Sequence, residues 1–128
     1  MSSILQKLKS GKKNYKIINF PGTEEKIALV ILSSNEMTEA KIHSDDYIKE
    51  NKIEDEEYKD IVLQQHIIYR AARDKENIEK KIASSFDEFL ELIDYQEVQY
   101  LMVEYNVFFN ENSPFLNAVY EKQFELLN

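Results

Sequence analysis

Tyr15-Lys16-Ile17-Ile18-Asn19-Phe20-Pro21-Gly22-Thr23-Glu24-Glu25-Lys26-Ile27-Ala28-Leu29-Val30-Ile31-Leu32 is the stretch that decides the fold. β-Branched and aromatic residues crowd both sides of Pro21-Gly22, and such residues suit a pleated, half-buried surface. Proline presets φ at the first central position of a turn, and glycine accepts the positive φ that a type II turn needs at the second. Residues 15–32 are therefore predicted to form a β-hairpin. Its second strand is apolar on both faces and calls for cover on both. A lone two-stranded hairpin is marginal in water, so this one has to pack on helices. Its open edges invite pairing with another chain, which leaves a homo-oligomer open.

Outward from the hairpin, everything after Ser33 reads as helix. Ser33 with Glu36 forms a capping box. The helix that follows carries Met37, Ala40, Ile42, Tyr47 and Ile48 with imperfect periodicity, and Asn51 is placed to end it. Asp55 opens the strongest helix, with Tyr58, Ile61, Val62, Ile68, Tyr69 and Ala72 at helical spacing and Arg70 and Arg73 as cations in its last turns. Ser85 with Glu88, and Asp94 with Glu97, repeat the capping signature. Ser113 and Pro114 mark the start of a last helix bearing Leu116, Val119, Tyr120, Phe124 and Leu127. The expected fold is mainly α, of the α+β type: an N-terminal two-stranded hairpin followed by about five packed helices. With 2 glycines, 2 prolines and no low-complexity linker, 1–128 reads as a single domain. Within it, 1–14 is a flexible leader, 15–32 the hairpin and 33–128 a helical bundle.

The 128 residues suffice for a core without staples. No cysteine is present, which excludes disulfides and thiolate metal sites and suits a cytoplasmic setting. The longest apolar run, Ile27 to Leu32, is too short to span a bilayer, and Met1–Lys7 does not read as a secretory signal. A net charge of −8 argues against nucleic-acid binding, which needs phosphates neutralised by basic residues. Lys7, Lys9, Lys12, Lys13 and Lys16 crowd the N-terminus. They read as a solvated leader, because Tyr15 is the single aromatic among them; a basic arm touching nucleic acid is the competing reading.

Catalytic patterns are missing. Gly11 and Gly22 cannot build a phosphate-cradling loop. His43 and His66 show no metal-ligand spacing; His43 reads as a surface residue and His66 as lying on the flank of its helix. Glu54-Asp55-Glu56-Glu57 fits the positive end of a helix dipole better than an acid/base pair. No enzyme, cofactor or metal is expected. Aromatic residues, 8 Tyr and 7 Phe, are the feature left over. Phe108, Phe109, Phe115, Tyr120 and Phe124 gather near the C-terminus. Helical spacing of aromatics marks a buried face first, and rings that short helices cannot bury are candidates for partner binding.

Four signals occur in one order: Phe20-Pro21-Gly22, Arg70-Ala71-Ala72-Arg73-Asp74, Ser85-Phe86-Asp87-Glu88-Phe89 and Ser113-Pro114-Phe115. With Leu32-Ser33, Glu36, Ala40, Leu63, Leu90, Glu97, Leu101 and Tyr105 they make residues 15–116 resemble the tail assembly chaperones of long-tailed bacteriophages and prophages. The resemblance implies a protein without catalytic residues. It would bind the long, apolar, helical tape measure protein in the host cytoplasm, keep it soluble before the tail tube polymerises, and be absent from the mature virion. It also implies a role in recruiting the tail tube protein, which in many phages falls to a longer frameshifted product; this chain would be the short form. The spacer from Lys75 to Ser84 lacks the proline and glycine expected there, so the helix is expected to run further. A small acidic inhibitor or immunity-type binding module is the alternative reading. The mixing of acids and lysines in Glu76-Asn77-Ile78-Glu79-Lys80-Lys81 weakens nucleic-acid mimicry. A small enzyme ranks last.

Overall fold

The Pro21-Gly22 turn forms as its chemistry requires. In the computed structural model, which describes residues 4, 5, 15–112, 122 and 125, the Thr23 amide donates to the Phe20 carbonyl at 3.1 Å and Gly22 takes φ 76°. The Thr23 hydroxyl donates to the same carbonyl at 3.0 Å and accepts the Glu25 amide at 3.1 Å. Strands β1 (Tyr15–Asn19) and β2 (Lys26–Val30) leave this turn antiparallel, with Ile17 opposite Ala28. As expected of a strand apolar on both faces, Ile27 through Val30 are all buried.

The bundle expected after residue 33 is interrupted, which corrects the sequence reading. Helices α1 (Ser34–Glu50) and α2 (Glu56–Ala71) are followed by two short strands, β3 (Ala72–Asp74) and β4 (Asn77–Lys81), and then by α3 (Phe86–Leu92) and α4 (Tyr95–Glu111). The sheet has four antiparallel strands in the order β1-β2-β3-β4, so β3 covers the edge of β2 that a second chain was expected to seek. Four helices, rather than about five, are described along their length; of the predicted helix after Ser113 only Lys122 and Glu125 are described, both helical, and of the leader only Ile4 and Leu5.

The spacer folds as a hairpin because its polar residues bond locally. Asp74 Oδ1 accepts the Glu76 amide at 2.8 Å and Asn77 Oδ1 accepts the Glu79 amide at 3.2 Å, which competes with helical pairing. Arg73 then locks the element. Its Nη1 donates to the Ile78 carbonyl at 2.8 Å and its Nη2 to Glu36 Oε2 at 2.8 Å, while Nε donates to the Arg70 carbonyl. Glu36 also closes the α1 capping box by accepting the Ser33 amide on Oε1 at 3.0 Å, so one carboxylate joins the start of α1 to the sheet.

The caps hold where they were expected. Asp55 accepts the Glu57 and Tyr58 amides, and Asp94 and Glu97 form a full box. At α3 the box is half formed: Ser85 accepts the Glu88 amide, but Glu88 turns to the amide and hydroxyl of Ser84. Helix α1 ends at Asn51 with Lys52 at φ 52°, the Ile53 amide donating to Ile48 O and the Lys52 amide to Lys49 O, the paired bonds of a Schellman motif.

Helix α2 is the centre of the molecule. It touches α1, α3, α4 and strands β2, β3 and β4, and its C-terminal half is buried nearly all round. The core joins Leu29, Ile68, Ala71, Phe89, Val98 and Leu101, all fully buried. Burying one such leucine or phenylalanine contributes about 1.5–3 kcal/mol. Tyr105 ties α4 to the end of the first hairpin, its hydroxyl accepting the buried Leu32 amide at 3.2 Å.

Candidate functional site

Helix α4 carries two apolar stripes. Val98, Leu101, Tyr105 and Phe108 face the core. Tyr100, Val103 and Val107 recur with the same three- and four-residue steps on the opposite side and are exposed, Val103 at 61%. Gln96, Gln99, Asn106 and Asn110 fill the rest of that outer face, so it holds no charge. Along one border run Glu97, Glu104 and Glu111, seven residues apart and therefore nearly in line on a helix. Helix α4 contains no lysine or arginine. Lys16 on β1 approaches Glu104 at 3.7 Å. Leu92 and Tyr95, at the junction of α3 and α4, are exposed as well.

The predicted partner-binding rings separate. Phe108 is 2% exposed and belongs to the core, a correction explained by its place seven residues after Leu101 on the inner stripe. Phe109 is half-open at 40% and stacks on Tyr105, with ring centroids 6.5 Å apart. Phe115, Tyr120 and Phe124 lie outside the described residues. Tyr100, Val103 and Val107 were missed. The signal was present in the sequence, because Tyr100, Val103 and Val107 repeat the three- and four-residue steps of Val98, Leu101, Tyr105 and Phe108 on the other side of the same helix.

A second cluster, polar and mostly buried, lies where α1, α2 and α3 meet. His66 is buried rather than on a flank, its ring stacked on Phe86 at 3.8 Å with Tyr47 edge-on at 6.2 Å. Phe86 in turn stacks on Phe89. Arg70, the expected cation of the last helical turn, is also buried. Its Nη1 donates to the His66 carbonyl at 3.0 Å and lies 3.4 Å from His66 Nδ1, and its Nη2 meets Nδ1 of exposed His43. A guanidinium has no acceptor, so both Nδ1 atoms accept and the imidazole protons sit on Nε2. Burial first, then the Arg70 charge and His43, hold His66 down to about 4 from the usual 6.5. Its Nε2 finds no partner. The guanidinium reaches both histidine rings. Among the described residues no group of three or more His, Asp or Glu is placed to hold a metal ion.

The residues that carried the resemblance have structural duties here: Glu36 and Glu97 cap helices, Leu101 and Tyr105 fill the core, Arg70 and Arg73 bind backbone carbonyls. No protein family, curated protein or solved structure matches this chain. No helix among the described residues is long and apolar enough to cross a membrane.

Proposed function

We propose that this chain is a tail assembly chaperone of a long-tailed phage or prophage, a binding protein and not an enzyme. It holds the tape measure protein in solution in the host cytoplasm, assists recruitment of the tail tube protein, and leaves before the virion is complete. The observation that carries the reading is the outer face of α4, where exposed Tyr100, Val103 and Val107 form a neutral apolar stripe on a chain of net charge −8. A holdase needs apolar surface to cover its client and net charge to keep the complex dispersed. The order of signals from Phe20-Pro21-Gly22 to Ser113-Pro114-Phe115 supports the tape measure protein as the client.

Co-expression is the test. The long helical protein encoded immediately downstream of this chain's gene is expected to be insoluble alone and soluble, co-purifying, with the chain present. A downstream product that stays insoluble, or that never co-purifies with the chain, overturns the reading.

A further inference from the structure

Resting on the chaperone reading, we propose that the outer face of α4 takes one kind of occupant: a basic amphipathic helix of the client, laid along Tyr100, Val103 and Val107 with its lysines or arginines beside Glu104 and Glu111. The stripe has the steps of a helix-packing seam, so a second helix with apolar residues at matching steps fits it. Val103 and Val107 are stiff at χ1 and hold the seam in shape without a partner.

The border decides which helix. Glu97, Glu104 and Glu111 line one side, and α4 offers no cation to balance them. Lys16 engages only Glu104, at 3.7 Å, while Glu111 is exposed. An acidic border rewards a basic partner and repels an acidic one, which sets specificity more than raw affinity. Two other occupants are thereby disfavoured. A second copy of this chain would bring its own three glutamates to the seam. Residues 113–128 of the same chain carry Glu121 and Glu125 against the single Lys122.

The test uses the full chain and two synthetic helices matched to α4 in length. Both carry leucines at the seam steps; one is flanked by lysines, the other by glutamates. Fluorescence anisotropy is expected to give at least about tenfold tighter binding of the lysine-flanked helix at low salt, with the preference shrinking as salt screens the border. Val103→Glu should weaken binding about tenfold or more with an unchanged melting temperature, because the side chain it replaces is exposed. Glu104→Gln with Glu111→Gln should erase the preference between the two helices and leave Glu97, which caps α4, untouched.

Equal binding of the two helices overturns the proposal, as does binding that Val103→Glu leaves intact. Self-association of the free chain that Val103→Glu abolishes assigns the face to a second copy. Protection of residues 100–107 from amide exchange in the free chain, lost together with protection of 113–128 in that variant, assigns it to the chain's own end. Either result also overturns the proposal. If Val103→Glu still keeps the tape measure protein soluble, this surface fails and the chaperone reading stands. If the lysine-flanked helix binds as expected but the tape measure protein is never held, the reading fails and the surface stands.

Discussion

His66 packs its ring flat against Phe86, accepts from Arg70 through Nδ1, and leaves an Nε2–H buried without an acceptor. An orphaned buried donor costs about 1–3 kcal/mol. Burial disfavours the charged ring, and protonation would also aim a second N–H at the Arg70 guanidinium, so the folded protein resists it down to about pH 4. The unfolded chain takes the proton below the usual 6.5, so falling pH favours unfolding across the window from 6.5 to about 4, and the full difference amounts to about 3 kcal/mol. His66→Phe keeps the shape and the stack while removing both the orphan and the titration. Urea melts of this variant should show stability equal to or about 1 kcal/mol above the native chain at pH 7, and a flatter decline between pH 6.5 and 4.5. A decline as steep as in the native chain assigns that acid sensitivity elsewhere. Glu36 acts lower on the scale. Partial burial opposes its charge, but the Ser33 amide and hydroxyl and the Arg73 charge outweigh that and hold its carboxyl below 4.5, so its share of stability fades only beneath that value.

The first hairpin and the helix starts were legible in the sequence because their signals are local. Pro21 and Gly22 set dihedral angles by their own covalent structure, and Ser33, Asp55, Ser85 and Asp94 cap whatever amides follow them. The second hairpin was not legible. Its Lys75-Glu76 connection contains no glycine, and among the described residues only Gly22 and Lys52 take positive φ, so the usual hairpin signature is absent. The local bonds of Asp74 and Asn77 turn the chain, but what holds residues 72–81 to the sheet is distant: the register of β3 on β2, and Arg73 bonding across to Glu36. Arg70 and Arg73 read as dipole-complementing cations in the last turns of one helix, and their burial was not legible because a sequence does not tell which helix end is covered. The candidate site was legible only as surplus apolar content in α4; which stripe faced out depended on where Tyr105 met Leu32. Gly22 gives the sharpest element-scale prediction. A Cβ there would meet nothing within 4 Å, so Gly22→Val costs only its positive φ. The expected loss is on the order of 1–3 kcal/mol, read as a lower thermal midpoint with unchanged helical circular dichroism. An unaltered midpoint would sink the assignment of this turn as a determinant of the fold.

At the scale of the whole molecule, the distribution of cations matters more than their number. The chain has only two arginines, and both are buried and bound to backbone carbonyls, out of reach of a phosphate. Lys16 and Lys59 face Glu104 and Glu56. Lys75, Lys80 and Lys81 on the second hairpin alternate with Asp74, Glu76 and Glu79, which dilutes any positive patch there. Affinity for nucleic acid grows with the number of phosphates neutralised and falls steeply with salt. Stacking platforms would need aromatic rings set within a basic groove; of the exposed rings, Tyr95, Tyr100 and Phe109 lie on α4, which has no cation, and Tyr15 and Tyr58 each adjoin a lysine that is paired with a glutamate. The full chain is therefore expected to show no binding to single- or double-stranded DNA or RNA by fluorescence anisotropy at physiological ionic strength. Sub-micromolar binding that weakens with added salt would overturn this. It would also move attention to Lys7, Lys9, Lys12 and Lys13, and a variant with these four changed to glutamine would then have to abolish it.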